Sequence, residues 1–277
     1  MAAARPNFLF LFPDQHRWDW LGLLGQVPVR TPNLDRLAQR GVLFRQCRTN
    51  SPVCAPARAC LASGLRRYRI GVLDNGMALP ANQPTFFRDL KGAGYRVLAS
   101  GKTDLYKHGF SKKIDGRTPE VLALGFSDTV NQCGKWDAIN TGWPVPDDPY
   151  MAYLHQEKLA ETHVLDYRRR NQMRRPPQNI IDTASSPLPR HATLQGSAAD
   201  ASHRQVQVSE LGDWRMVTDG RYKLITAPEK PAVLYDLQND PAEITDVAGM
   251  HFEELARLTT HLAREFSAPG FGVPAPD

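Results

Sequence analysis

The sequence predicts an α/β fold: a mostly parallel sheet flanked by helices, followed by a small C-terminal subdomain of antiparallel strands and one helix. Three observations predict it. Residues 7–12 are a continuous apolar run, the pattern of a strand buried on both faces. Residues 31–41 carry the start and stop signals of a helix. Residues 205–236 read as short strands broken by turns, and 252–266 as an amphipathic helix.

The chain has 277 residues, room for one large domain or two modest ones. Hydrophobic residues make up 42% and charged residues 23%, a composition that excludes a disordered or fibrous chain. The net charge of +5 suits anionic small molecules, but no basic tract interleaved with aromatics argues for nucleic acid. Four cysteines, Cys47, Cys54, Cys60 and Cys133, do not form a disulfide framework in a chain this long. The apolar run near the N-terminus is short and lacks a small-residue cleavage site, so it reads as a strand rather than a signal peptide. No stretch is long enough to span a membrane, and the expected location is cytoplasmic.

The first strand ends in Pro13-Asp14-Gln15-His16. Ligands gather at the carboxyl ends of strands in open α/β sheets, so Asp14 is placed either to bind a hard cation through oxygen or to cap a turn. Thr31 and Pro32 then start a helix, Leu34, Leu37 and Ala38 face inward, and Gly41 stops it. Residues 42–47 form a strand leading to Ser51-Pro52-Val53-Cys54-Ala55-Pro56-Ala57-Arg58-Ala59-Cys60-Leu61-Ala62-Ser63-Gly64. Pro56 marks a first helical turn and Gly64 the end, so Cys54 stands at a helix N-terminus, where unpaired N–H groups favour an anion. Arg58, one turn on, lies on the same face. A nucleophile, a cation and a helix dipole converge there, as hydrolysis of an oxyanion ester requires.

Downstream, Asn75 either reaches an anion with its amide or forms an Asn-Gly turn. Residues 85–93 form a short helix with Phe86 and Leu90 inward. Residues 95–100 are a buried strand ending in Gly101-Lys102-Thr103-Asp104, with Lys102 a point charge suited to an anion. Residues 125–130 form a further strand and 151–167 a helix, in which His163 reads as a surface residue. Residues 168–203 are dense in Arg and Pro with no helical or strand period, a linker or disordered segment. The organisation is therefore an α/β domain over 1–167, a linker over 168–204 and a C-terminal subdomain over 205–277.

Residues 54–64 resemble the signature of sulfatases of the alkaline-phosphatase-like superfamily, Cys-x-Pro-Ser/Ala-Arg-x-x-x-x-Thr/Ser-Gly. The Thr-Pro-Asn-Leu-Asp helix at 31–35, Gly101-Lys102, and Leu234-Tyr235-Asp236-Leu237 with Asp240-Pro241 resemble further family segments. The resemblance implies a sulfuric-ester hydrolase whose cysteine, Cys54, is oxidised to formylglycine by a formylglycine-generating or anaerobic sulfatase-maturating enzyme. It implies Arg58 and Lys102 as catalytic cations, Asn75 and Asp104 as substrate contacts, and a divalent metal, Ca²⁺ first with Mg²⁺ or Mn²⁺ as alternatives, held by Asp14, Gln15 and residue 54. Asp14-Gln15 looks most like the choline-sulfatase and phosphonate-monoester-hydrolase branches, so the implied substrate is a small sulfate or phosphonate ester.

Two departures matter. Asp104 stands where the family has histidine, and a carboxylate there suits a cationic substrate. Between 130 and 210 no Asp-His-Gly or Asp-Asn-Gly completes the metal site. The resemblance therefore implies an internal deletion, an incomplete core, and a chain of weak or no activity as the alternative to a working enzyme. Limited trypsin digestion is expected to cut first within 168–203; early cuts confined to 30–100 would contradict the linker.

Overall fold

In the computed structural model of this chain the described residues are 5–14, 16, 20–44, 47–107, 114–174 and 206–266. They fall into two compact units, one up to Arg48 and one from Thr49 onward. No helix among them is long and apolar enough to cross a membrane.

In the first unit a short turn of 3-10 helix, Gly22–Leu24, precedes α1, Pro32–Arg40. Thr31 does not cap α1 through its own first turn. Its hydroxyl donates to Asp35 Oδ1 at 2.7 Å and accepts the Gly22 N–H at 2.8 Å, stapling the turn to the helix. Residues 8–12 form no strand, and Phe8, Leu9, Phe10, Leu11 and Phe12 are all exposed. Leu34 and Leu37 also point outward rather than inward, and among the described residues of the expected strand at 42–47 only an isolated bridge at Phe44 is present. The two strand readings share one cause. Apolar patterning states a preference for burial, but a parallel strand needs neighbours on both sides and layers on both faces.

The second unit opens with α2, Cys54–Ser63, and α3, Arg67–Ile70. Small residues on one side of α2, Ala55, Ala59 and Ala62, are buried, which lets the helix lie close to its neighbours. Helix α4, Phe86–Gly92, is capped by Thr85, whose hydroxyl accepts the Arg88 N–H at 3.3 Å. Phe87 and Leu90 pack on the core; Phe86, expected inward, is turned out. Strand β1, Leu98–Gly101, pairs in parallel with β2, Asp128–Asn131, across helix α5, Pro119–Ala123. This crossover is the parallel α/β element. Leu98 is 59% exposed, so β1 is half-buried rather than buried. Gly125, at φ +117°, passes α4 so closely that a Cβ would fall on the backbone of Phe87 and Arg88, which is why no other residue fits the turn into β2.

Helices α6, Lys135–Thr141, α7, Pro149–Gln156, and α8, Ala160–Arg174, enclose a separate core around Ile139, Met151 and Val164. The single helix expected over 151–167 is broken where Lys158 takes a left-handed φ of +58°. Asp148 fixes the start of α7, accepting the N–H groups of Met151 at 2.7 Å and Cys133 at 3.0 Å. Helix α8 continues to Arg174, past the expected boundary at 168. The rest of the linker stretch, 175–203, lies outside the described residues.

The C-terminal part matches its reading closely. Strands β3, Gln207–Leu211, β4, Trp214–Thr218, β5, Tyr222–Thr226, and β6, Val233–Asp236, form an antiparallel sheet in that order. Helix α9, Phe252–Phe266, packs Leu258 and Leu262 on Val217, Leu224 and Leu234. The sheet is tied to α3 by a buried ion pair: Arg67 Nη1 lies 3.7 Å from Glu210 Oε2 and donates to the Gly212 carbonyl at 3.1 Å. The Glu210 N–H in turn donates to the Asn50 carbonyl at 3.0 Å, just ahead of α2. Burial pushes the Glu210 carboxyl up, opposed by the Arg67 charge.

Asp236 closes β6. Its carboxylate accepts from Arg221 Nη2 at 3.1 Å, Gln238 N–H at 3.1 Å and Asn239 Nδ2 at 2.9 Å. The Arg221 hydrogen bond holds its carboxyl below the ordinary range. The charged form is thus favoured by folding, so this contribution is full above about pH 4 and lost as pH falls through the depressed value. Asp236→Asn is expected to lower the melting temperature by several degrees at neutral pH. The gap to wild type should narrow below about pH 4. A gap independent of pH would contradict this account.

Candidate active site

The site is built on the first turn of α2. Cys54 is its first helical residue and is half-buried, with Val53 in extended conformation before it. Pro56, inside that turn, needs no N–H partner. Gly64 ends the helix at φ +69°, its N–H donating to the Cys60 carbonyl at 2.9 Å. The local reading of this segment therefore holds at both ends.

Asn75 lies in the expected turn, and its side chain takes a further role. Its Oδ1 accepts the Ala55 N–H at 2.9 Å, so it satisfies one of the unpaired donors at the start of α2. The neighbouring turn is held instead by Asp74, whose Oδ1 accepts the Gly76 N–H at 2.7 Å. Arg58 is half-buried and donates from Nη1 to the Lys102 carbonyl at 2.7 Å. That bond carries the end of β1 to the helix. Cys54 and Arg58 share a helix face, Asn75 caps that helix, and Lys102 is fixed beside Arg58.

Behind Lys102 runs a chain of charges. Lys102 Nζ lies 3.2 Å from Asp104 Oδ2, which is also 3.4 Å from Lys107 Nζ; Lys107 Nζ is 3.5 Å from Asp137 Oδ2. Asp104 is 2% exposed and has a left-handed φ of +51°. Its carboxylate is directed at the two lysines. Thr103 is anchored beside it, donating from N–H at 3.2 Å and from its hydroxyl at 2.8 Å to Asn131 Oδ1 on β2. The sequence reading made Asp104 a substrate contact, whereas its carboxylate is buried against Lys102 and Lys107, and it missed Lys107 and Asp137. The spacing of Asp104 and Lys107 was a usable signal; Asp137 comes from α6 and had none.

Of the three expected metal ligands two are described, and they fall in different units. Asp14 is exposed and belongs to the first unit, Gln15 lies outside the described residues, and Cys54 belongs to the second unit. Among the described residues no group of three or more His, Cys, Asp or Glu could hold a metal ion.

Comparison with known proteins bears on the same region. The sulfatase family model matches residues 6–158. The choline-sulfatase of Rhizobium meliloti is 34% identical over 182 residues, covering 58% of this chain and 35% of that protein. A structure solved with its substrate, D-glucosamine-2-N,6-O-disulfate, aligns with a TM-score of 0.63 at 13% identity, covering 99% of both chains. The phosphonate monoester hydrolase of Silicibacter pomeroyi aligns with a TM-score of 0.57 at 15% identity, covering 95% of both. Several other curated relatives match over only 18–23% of their own length, so the aligned stretch is about a fifth of each.

All four cysteines are free thiols, and two of them lie on α2. Cys60 is 3% exposed, and burial, reinforced by the Glu210 charge, pushes its thiol up to about 11. Iodoacetamide at about pH 8 is expected to alkylate Cys54 at least tenfold faster than Cys60, read by peptide mass spectrometry. Equal rates would mean that α2 does not stand as described.

Proposed function

The chain belongs to the sulfatase family, and from that premise we propose that the Cys54 site binds and hydrolyses a small sulfate ester. The observation that supports this reading is the bond from Arg58 to the Lys102 carbonyl, which holds the Arg58 guanidinium and the backbone that carries Lys102 together beside α2. Hydrolysis of a sulfate ester builds negative charge on the leaving oxygen and on the non-bridging oxygens. Fixed cations and a helix N-terminus offset that charge without reorganising. Arg58 orients the anion from the same helix face as the nucleophile, and Lys102 supplies a point charge from the end of β1.

Formylglycine made from Cys54 by a maturating enzyme would supply, once hydrated, one hydroxyl to attack sulfur and a second to release it. The half-buried position of Cys54 ahead of Pro56 supports that modification, since the residue stands where an enzyme can reach it.

A weak or inactive chain is the second reading, and it rests on the lack of an Asp-His-Gly or Asp-Asn-Gly between residues 130 and 210, where the family completes the site for its Lewis acid. Removing one preorganised electrostatic partner costs about 10²–10³ in rate, so turnover is expected to fall at least that far below a full-length relative. The test is turnover of p-nitrophenyl sulfate and of a phenylphosphonate ester with Ca²⁺, Mg²⁺ or Mn²⁺, with formylglycine at 54 verified by intact mass. Sulfate should be preferred, and Cys54→Ala should abolish turnover. Wild-type turnover by Cys54→Ala would overturn the nucleophile; family-like rates would overturn the slow reading.

A further inference from the structure

We propose that Asp104 is a built-in counter-anion, a positioning residue that competes with the substrate for Lys102 and thereby sets the anion affinity of the Cys54 site. This rests on the reading of that site as one for a sulfate ester, and it concerns how the site is held before substrate arrives.

Asp104 cannot follow Lys102 if the lysine moves. It is 2% exposed and sits between Thr103, bonded to Asn131, and Leu105, which is 3% exposed and whose carbonyl accepts the Leu79 N–H at 2.8 Å. Lys102 can move. Its ammonium is a point charge on a flexible stem. Asp104 Oδ2 is a buried oxygen without an aligned hydrogen bond, so its contacts with Lys102 at 3.2 Å and Lys107 at 3.4 Å are charge contacts with little directional restraint. Turning Lys102 towards an incoming sulfate therefore breaks no aligned hydrogen bond to Asp104.

Nor would the exchange strand the carboxylate. A buried anion left alone is costly, but Lys107 stays beside Asp104, and Asp137 at 3.5 Å steadies Lys107 from α6. With Lys102 on Asp104 the carboxylate has two lysines beside it. With Lys102 on sulfate, Lys107 takes over as the partner of Asp104. Lys107 thus makes the exchange possible, and Asp104 makes it competitive.

The experiment measures the affinity of the unmodified full chain for inorganic sulfate by calorimetry, with folding checked by circular dichroism and melting temperature. Asp104→Asn keeps the side-chain size and tolerates the left-handed backbone. It should tighten sulfate binding about threefold to tenfold. Lys107→Met should weaken binding, because Asp104 then holds Lys102 alone, and this effect should vanish when combined with Asp104→Asn. A purely structural role for Asp104 would not tighten binding or show that coupling. Unchanged or weaker binding by folded Asp104→Asn overturns the proposal. If neither Asp104→Asn nor an Asp104→Gly substitute folds, unchanged binding by folded Lys107→Met overturns it instead. Lys102→Met separates this from the parent reading. If it leaves sulfate affinity unchanged, or if no form of the chain binds sulfate, the anion reading of the site fails as well. If it weakens binding while Asp104→Asn does not tighten it, only the counter-anion fails.

Discussion

The first turn of a helix has N–H groups with no partner inside the helix, and they must find acceptors. At α2 the Ala55 N–H finds the amide oxygen of Asn75, which fixes the start of the helix against the loop that follows α3. The rest of the site hangs on that placement. Cys54 is defined by being the first residue of the turn, Arg58 by being one turn later, and Lys102 by the bond Arg58 makes to its carbonyl. The buried small side chains of α2 hold the other side of the helix to the core. A change in where α2 begins would shift Cys54 and Arg58 together.

The charges beside α2 follow a different logic from the cap. Hydrogen bonds of 2.7–2.9 Å hold the backbone of the site, whereas contacts of 3.2–3.5 Å hold its lysines. The first kind is directional and fixes geometry. The second is set by distance and local dielectric and can be redistributed among partners. A site that must bind an anion and then release it needs both: fixed donors for orientation and cations whose partners can change.

Elements whose signals are local were legible in the sequence. Pro56 and Gly64 marked the two ends of α2, and the alternation in 206–236 with its turn residues marked the C-terminal sheet, because a two- to five-residue turn sets antiparallel pairing. The apolar face of 252–266 marked α9 for the same reason. Elements that depend on distant segments were not legible. Residues 8–12 have the composition of a buried strand but form none, since no local signal says which strands will flank it. The break at Lys158 left the helical period intact on both sides and depended on one backbone angle. Around α2, Asn75 caps the helix, a role its sequence context did not announce, and Arg58 bonds the Lys102 carbonyl, while the direction of the Asp104 side chain depends on a left-handed backbone and on α6, neither of which is written at Asp104 itself.

The two sheets differ in how their strands are supported. Strands β4 and β5 are paired on both sides and covered by α9, whereas β1 and β2 pair only with each other among the described residues. Backbone groups on the outer sides of that pair have no ladder partner within the sheet, and Leu98 and Val130 are exposed beside them. Local opening follows pairing and burial. The C-terminal meander is thus the slowly exchanging, cooperative half of the unit, and the parallel pair that carries Lys102 opens at a lower free energy. Lys102 follows directly on the end of that less protected strand.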